Sequence, residues 1–308
     1  MKTKPSLALL ALLVLPGCAE EAWPRPPAVD PAQFTAEHAE WRENRRAGLV
    51  RPPSGPLLWI GLWELPQGPA PAGADSALAI VLPEEDSPAQ VGTFHREGQD
   101  VRFEPAPGAG VTLDDGTPVT ETIVMNSDRT DDVTDLAVGS LRLRVHGEPG
   151  TDRLWIRVYD VEHPAIQTFE LPESFPVDTL WRVAARFEPY PEPREVPVAD
   201  VLQGTIVYES PGELVFEIGG EEHRLIGIAN PGASTFFLMM WDPTADATTY
   251  QAGRYLRAPM PDENGWTEID FNRAYNPPCV FSPFSVCALP PRETRLEVAV
   301  TAGEMRAH

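Results

Sequence analysis

The chain has 308 residues, a formal net charge of −22, 35 prolines and three cysteines. Its length is sufficient for two folded units. A surface this acidic repels phosphate backbones and no basic patch opposes it, so the composition excludes nucleic acid as a partner.

The N-terminal segment has the layout of a secretion signal. Lys2 and Lys4 precede an apolar run, Leu7 to Leu15, which is too short to span a bilayer and is typical of a signal h-region. The run ends in LPGC (15–18), which resembles a bacterial lipobox. That resemblance implies cleavage before Cys18 and acylation of its thiol. An ordinary secretory signal followed by a chance cysteine is the alternative.

The predicted signal peptide covers residues 1–17, and the predicted lipid attachment at Cys18 makes the membrane a partner. Alanine, not aspartate, follows Cys18. This resembles an outer-membrane destination, so we expect a cell-envelope protein on the periplasmic face in a Gram-negative host. Residues 18–30 are rich in proline and predict a tether between the lipid and the folded part.

The first predicted element is a helix over residues 31–50. The run Asp30-Pro31-Ala32-Gln33 supplies an N-cap acid, a proline at the first helical position and glutamine three residues after the cap. Phe34, His38 and Trp41 share one face, so we expect His38 to pack against the protein body. The helix should end near Gly48.

Residues 51–165 predict a unit of short β-strands. Several segments alternate apolar and polar residues and are bounded by glycine, proline or aspartate. SLRLRVHG (140–147) and RLWIRVYD (153–160) predict a hairpin across the intervening EPGTD. No helix-length periodic segment interrupts the strands, which favours an all-β sandwich or barrel.

Two stretches of this unit resemble the forkhead-associated fold. AGADSALAIVLP (72–83) is similar to the first motif of that family, and DDGTPVT (114–120) is similar to a later one. A turn at Gly139 before the next strand also fits. The resemblance implies a forkhead-associated-like β-sandwich.

The residues that would bind phosphate in that family are missing. Ala74 stands where the family has its phosphothreonine-binding arginine, and Pro88 and Val91 stand where it has serine and histidine. Asp115 replaces the asparagine of the later motif. Because phosphate recognition needs donors and positive charge, the resemblance implies the fold without phosphopeptide binding.

A second β-rich unit is expected over residues 166–308, sandwich-like or barrel-like. Residues 161–200 predict an irregular proline-rich bridge with one short strand from Trp181 to Phe187. Gly219-Gly220 predicts a hairpin turn. FFLMMW (236–241) is apolar on both faces, which predicts a central strand.

The chain as a whole resembles the uncharacterised bacterial "domain of unknown function 1684" family. The resemblance rests on four strings and extends over about residues 41–304: TYQAGRYL (249–256), DFNRAYNPPC (270–279), CALPP (287–291) and TAGE (301–304). It implies no reaction, cofactor or partner, because the family has none established.

The signature DFNRAYNPPC supplies candidate ligand-binding side chains. Alternation along the strand places Asp270 and Asn272 on one face, and Arg254 on a neighbouring strand would reach Asp270 if the two strands pair. The candidate ligand-binding residues are therefore Arg254, Asp270, Asn272, Arg273, Tyr275 and Asn276. They form either a pocket for a small polar ligand or protein partner, or a stiff structural corner.

The remaining cysteines, Cys279 and Cys287, predict a disulfide in an oxidising compartment if Cys18 is lipidated. The alternative is a free Cys279 acting as a nucleophile near an arginine. No known catalytic or phosphate-binding motif is present and the histidines are scattered singly, so we predict no metal and no cofactor.

The sequence thus predicts a mainly β protein with a short N-terminal helix and two β-rich units. We expect a binding or scaffolding module that acts through the signature region. The alternative is a hydrolase-type enzyme centred on Arg254, Asp270 and Cys279, and the sequence leaves open which of the two is correct.

Overall fold

The computed structural model describes residues 23–245 and 247–307. The predicted signal peptide and Cys18 lie outside the described residues. The described part of the chain is mainly β, as predicted, with one long helix near its N-terminus. No helix within it combines the length and the apolar composition needed to cross a membrane.

Helix α1 (Pro31–Leu49) begins as the sequence predicted. The Asp30 side chain accepts a hydrogen bond from the Gln33 amide at 2.9 Å, and Pro31 occupies the first turn. Phe34 and His38 are buried, and Trp41 is half-buried on the same face. The predicted apolar face of the helix is therefore confirmed.

The first unit is built from ten strands in two five-stranded sheets. One sheet has the order β1-β10-β9-β8-β6 and the other has the order β3-β2-β4-β5-β7. The strands are β1 (Trp59–Glu64), β2 (Gly68–Gly73), β3 (Ile80–Val81), β4 (Gly92–Glu97), β5 (Asp100–Pro105), β6 (Thr112–Leu113), β7 (Ile123–Val124), β8 (Asp135–Val138), β9 (Leu141–Gly147) and β10 (Leu154–Asp160).

Both sheets of the first unit contribute to one apolar core. Phe94 and Phe103 of one sheet belong to the same buried cluster as Leu143 and Ile156 of the other. The predicted hairpin is confirmed, since β9 and β10 pair without a break in register. Gly139 takes a φ of 56° in the turn before β9, a left-handed conformation that glycine adopts at low cost.

A short helix, α2 (Ala165–Thr168), leads into the second unit of six strands. They form a four-stranded sheet, β13-β12-β11-β16, and a two-stranded sheet, β14-β15. The strands are β11 (Arg182–Ala199), β12 (Thr205–Ile218), β13 (Glu221–Gly227), β14 (Thr235–Met240), β15 (Arg254–Pro259) and β16 (Trp266–Asp270). Phe216, Phe236 and Phe271 lie at the centre of their common core, and the turn at Gly219-Gly220 joins β12 to β13 as predicted.

Strand β11 corrects the prediction of an irregular bridge over residues 161–200. It runs for 18 residues through four prolines, at positions 189, 191, 193 and 197. Its pairing with β16 covers Arg182 to Arg186, so the four prolines lie beyond that ladder; positions 189 and 197 pair with β12, and positions 191 and 193 fall in a break of the β11–β12 register. Proline lacks an N–H donor and is tolerated on such an edge. The ladder with β12 is irregular between Pro189 and Arg194.

The two units touch through the long β11–β12 hairpin. The Val207 amide donates to the Pro149 carbonyl at 3.2 Å. Near the hairpin tip, the Arg153 guanidinium lies 3.5 Å from the Asp200 carboxylate. The hairpin therefore reaches from the second unit to the β9–β10 turn of the first.

Candidate functional site

The signature begins where strand β16 ends in a single helical turn, Phe271–Arg273. The Asp270 carboxylate accepts hydrogen bonds from the Asn272 amide at 3.1 Å and from Asn272 Nδ2 at 2.9 Å. An aspartate that bonds the backbone two residues ahead favours such a turn. Phe271 is fully buried in the core of the second unit, so the turn is fixed from both sides.

The two signature asparagines are committed to the backbone. Asn272 Nδ2 donates to the Asp178 carbonyl at 2.9 Å, and Asn272 Oδ1 accepts from the Asp178 amide at 3.0 Å. Asn276 Nδ2 donates to the Met305 carbonyl at 2.8 Å. Both residues are almost fully buried. These contacts agree with the interpretation of the signature as a stiff structural corner.

Arg254 does not reach Asp270, so the predicted pairing of these two residues is wrong. The Arg254 guanidinium is fully buried and donates to Asp242 Oδ1 at 2.9 Å and to the Val300 carbonyl at 3.0 Å. It also donates to the Ala302 carbonyl. The pairing fails because β15 forms its ladder with β14, whereas β16 forms its ladder with β11.

Helix α1 holds the signature segment from the other side. His38 Nε2 lies 2.8 Å from the Asn272 carbonyl oxygen. Arg45 Nε donates to Glu304 Oε1 at 2.9 Å, and a second Arg45 nitrogen donates to the Asn276 carbonyl at 2.8 Å. The prediction that His38 packs against the body is confirmed. Burial lowers the pKa of His38, so its neutral form is favoured.

Tyr275 lies at the same junction. Its backbone exchanges two hydrogen bonds with Tyr255, both of 2.9 Å, and the Arg45 guanidinium lies 4.5 Å from the centre of its ring. Burial raises the pKa of the Tyr275 hydroxyl, and the nearby guanidinium groups of Arg257 and Arg45 oppose that shift.

A cleft of about 150 Å³ opens between α1, the start of β11 and the ends of β15 and β16. Of the predicted ligand-binding residues, it contains Asp270 and Arg273. The sequence did not predict the arginines and glutamates from other elements that join them. The full lining is Val29, Phe34, Glu37, Arg182, Arg257, Pro259, Glu268, Asp270 and Arg273.

The three arginines of the cleft differ in how many of their guanidinium donors already bind neighbouring groups. Arg182 makes two contacts with Glu268, at 2.9 and 2.6 Å, so its charge is matched. Arg273 Nε is buried and lies 3.3 Å from Asp270 Oδ2, and it makes no hydrogen bond to the part of the chain that the structure describes. Arg257 is exposed and donates to Thr235 Oγ1 across 3.5 Å, and its contact with the Tyr275 hydroxyl opposes the rise in the pKa of that hydroxyl that burial causes. No carboxylate of residues 23–245 and 247–307 forms an ion pair with Arg257.

Asp270 is the most buried carboxylate of the cleft, with a side chain 13% exposed against 30% for Glu268. Burial raises its pKa, although the hydrogen bonds from Asn272 and the charge of Arg273 oppose the shift. The carboxyl group is therefore easier to protonate than a solvated aspartate. It can accept a hydrogen bond from a ligand when ionised and donate one when protonated.

Cys279 and Cys287 lie side by side as free thiols. The Cys279 amide donates to Cys287 Sγ at 3.0 Å, and the Tyr250 hydroxyl lies 3.7 Å from Cys279 Sγ. A disulfide between them therefore stays a prediction. Neither Cys279 nor Arg254 lines the cleft that contains Asp270, so the structure does not bring together the three residues of the hydrolase alternative.

The first unit has a polar cluster that the sequence did not predict. His146 Nδ1 lies 2.7 Å from Asp128 Oδ2. The neighbouring Arg157 is 5% exposed, and its guanidinium lies 4.1 Å from the centre of the Trp59 ring. Burial lowers the pKa of His146, so its neutral form is favoured.

The second unit matches a known family. Residues 167–305 match the family model described as "Protein of unknown function (DUF1684)". The sequence resemblance had been placed over about residues 41–304, so the match supports it in the second unit and leaves the first unit outside. No curated protein matches the chain.

One solved structure that is similar to this chain is the solution NMR structure of an uncharacterised protein of Haloarcula marismortui. It is 29% identical to this chain, the alignment covers 46% of this chain and 80% of that one, and the TM-score is 0.39. The DFNRAYNPPC signature lies within residues 167–305, the range of the family match.

Proposed function

We propose that the cleft beside the signature binds a small ligand that carries a carboxylate or phosphate group. The observation that carries this proposal is that Arg257 and Arg273 line the same cleft, that Arg257 forms no ion pair within the described residues, and that the ion pair of Arg273 is the 3.3 Å contact with Asp270. A guanidinium presents its donors in a planar fork that matches a carboxylate or phosphate. Two of them at one cleft favour an anionic group.

The size of the cleft limits the ligand. The volume of the cleft is about 150 Å³. Pockets for larger ligands are typically about 300–1,000 Å³. The cleft therefore suits a small metabolite or the terminal group of a longer chain, such as a peptide carboxylate from a protein partner.

The acidic groups of the cleft would interact with a second part of the ligand. Glu37 and Asp270 line the cleft together with the arginines, and Phe34, Val29 and Pro259 are its apolar lining residues. Because Asp270 lies 3.3 Å from Arg273, a ligand held by Arg257 and Arg273 also meets a carboxyl group. A ligand with a donor group in addition to its anion would satisfy both ends.

The rest of the chain would position this binding module. In this proposal, Cys18 carries a lipid that anchors the protein in the cell envelope, and residues 18–30 serve as the tether. The first unit is a degenerate forkhead-associated-like sandwich that acts as a scaffold and does not bind phosphopeptides. Palmitate labelling that survives Cys18→Ser would refute the anchor.

The binding proposal is tested by thermal unfolding of the full chain with acetate, succinate, glutamate and inorganic phosphate at matched ionic strength. At least one probe should raise the midpoint of unfolding, because a ligand that binds the folded state stabilises it. Arg257→Gln should abolish the rise. Arg186→Gln is the matched control, since Arg186 is on β11, pairs with Glu188 and does not line the cleft.

A further inference from the structure

The segment after the signature places two thiols in contact. Cys279 lies in the helical turn Pro278–Val280, and its amide donates to Cys287 Sγ at 3.0 Å. The Cys287 thiol in turn lies 3.7 Å from the Ser285 hydroxyl. The two sulfur atoms are therefore neighbours before any bond forms between them.

The two thiols differ in access. Cys279 is partly exposed, whereas Cys287 is 2% exposed. Because thiol–disulfide exchange requires a thiolate to approach a sulfur atom in line, the exposed thiol is the one that a dissolved reagent can meet. The buried thiol is positioned to act second, within the protein.

The contacts of the two thiols also favour the thiolate on Cys279. Hydrogen bonding from the Cys287 thiol lowers the pKa of Cys279 to about 7, against the effect of burial, and the Tyr250 hydroxyl contributes in the same direction. The same contact raises the pKa of Cys287. A lowered pKa together with access is typical of reactive cysteines, and inert structural cysteines lack both.

We propose that Cys279 and Cys287 form a redox-active dithiol site that reacts with small disulfides, with Cys279 as the attacking thiol and Cys287 as the resolving thiol. This site is separate from the anion-binding cleft, and neither proposal depends on the other.

The exchange balances in two steps. The Cys279 thiolate attacks one sulfur of a disulfide RSSR, forms a mixed disulfide and releases RS⁻, which takes up a proton. Cys287 loses its proton and attacks the Cys279 sulfur, which forms the intramolecular disulfide and releases the second RS⁻. The protein dithiol is oxidised by two electrons, and RSSR is reduced to two RSH. A dithiol reductant reverses both steps.

Oxidised glutathione is the probe, and one tryptic peptide reports the result. Cleavage after Arg273 and Arg292 releases residues 274–292, which contain both thiols and exclude Cys18. In the reduced full chain, oxidised glutathione should convert this peptide to a form that lacks two hydrogen atoms, and dithiothreitol should restore it without unfolding. In Cys287→Ser, the glutathione adduct on Cys279 should accumulate because nothing resolves it.

Cys279→Ser is the matched control. The remaining Cys287 should react with oxidised glutathione at least about tenfold more slowly than Cys279 does, because Cys287 is buried and its thiolate is disfavoured.

If Cys287→Ser fails to fold, the wild type still tests the proposal, since fragmentation of peptide 274–292 shows which thiol a limiting amount of iodoacetamide alkylates first. Tyr250→Phe should shift the midpoint of that alkylation to higher pH. Tyr190→Phe should leave it unchanged, since Tyr190 bonds to Glu213.

Three results would overturn the proposal. The first is alkylation of Cys287 before Cys279. The second is peptide 274–292 that stays reduced in the presence of oxidised glutathione. The third is a disulfide that dithiothreitol reduces only after the protein unfolds, because that behaviour is typical of a structural disulfide and not of an exchanging one.

Discussion

His38 and Asn272 are 234 residues apart in the sequence, yet His38 Nε2 lies 2.8 Å from the Asn272 carbonyl oxygen. This contact fixes α1 on the turn that follows β16. It therefore joins the N-terminal helix to the signature, although the first unit separates them in the chain.

Loss of the His38 side chain should destabilise the protein. His38→Leu leaves the Asn272 carbonyl without its side-chain donor at a buried position, and an unsatisfied buried polar group costs about 1–3 kcal/mol. The free energy of unfolding in urea measures the effect. Glu40→Leu is the control because Glu40 is exposed on the same helix; an equal loss in both variants would contradict the role of the contact.

The stability of the protein should fall as the pH drops below about 6.5, the ordinary pKa of histidine. Burial lowers the folded-state pKa of both His38 and His146. The unfolded state therefore binds more protons than the folded state in this pH range. The contribution of the two histidines to the free energy of unfolding is fully present above the unfolded-state pKa and is lost as the pH falls towards the folded-state pKa. Urea unfolding between pH 7.5 and 5 measures the slope, which the double variant His38→Gln/His146→Gln should reduce. An unchanged slope would rule out these two histidines as its source.

The Arg45–Glu304 pair should contribute strongly to stability. Glu304 is fully buried, and the Arg45 side chain is 15% exposed. Glu304 Oε2 also accepts from the Asn276 amide at 2.7 Å. Removal of one partner of a buried pair costs about 3–5 kcal/mol, so Glu304→Ala should show a loss of this order in urea. Glu43→Ala, at an exposed position on α1, should change the free energy of unfolding by less than about 0.5 kcal/mol.

Asp270→Asn should leave stability at neutral pH unchanged or slightly higher. Burial raises the folded-state pKa of Asp270, so its contribution to stability is present below the unfolded pKa and is lost as the pH rises through the folded pKa. The amide oxygen of asparagine can still accept from Asn272. Urea unfolding at pH 7 checks this, and a loss of more than about 1 kcal/mol would mean that the carboxylate charge itself stabilises the turn.

The sequence predicted the local features of the fold because they depend on residues close together in the chain. The N-cap at Asp30, the β9–β10 hairpin and the turn at Gly219-Gly220 each follow from neighbouring residues. Strand β11 was missed because its four prolines argue against a strand unless the position of the sheet edge is known.

The candidate site could be predicted only in part. Asp270 and Arg273 lie in one short string and line the cleft, whereas Arg182 and Arg257 reach it from strands whose neighbours the sequence does not specify. Arg254 was assigned to Asp270 on the assumption that β15 and β16 pair, and the real partners of both strands differ. Which arginine lacks a carboxylate partner among the described residues depends on the order of strands in the sheets, and local sequence patterns do not determine that order.

The central claim is that Arg257 and Arg273 bind a small anion at the cleft. Isothermal titration calorimetry of the full chain with succinate and with inorganic phosphate tests it most directly. A charge-assisted hydrogen bond contributes about 1.5–3 kcal/mol, so Arg257→Gln should weaken binding by at least about tenfold, while Arg186→Gln should bind like the wild type. Equal binding in Arg257→Gln and the wild type, or no saturable heat with either probe in the wild type, would contradict the claim.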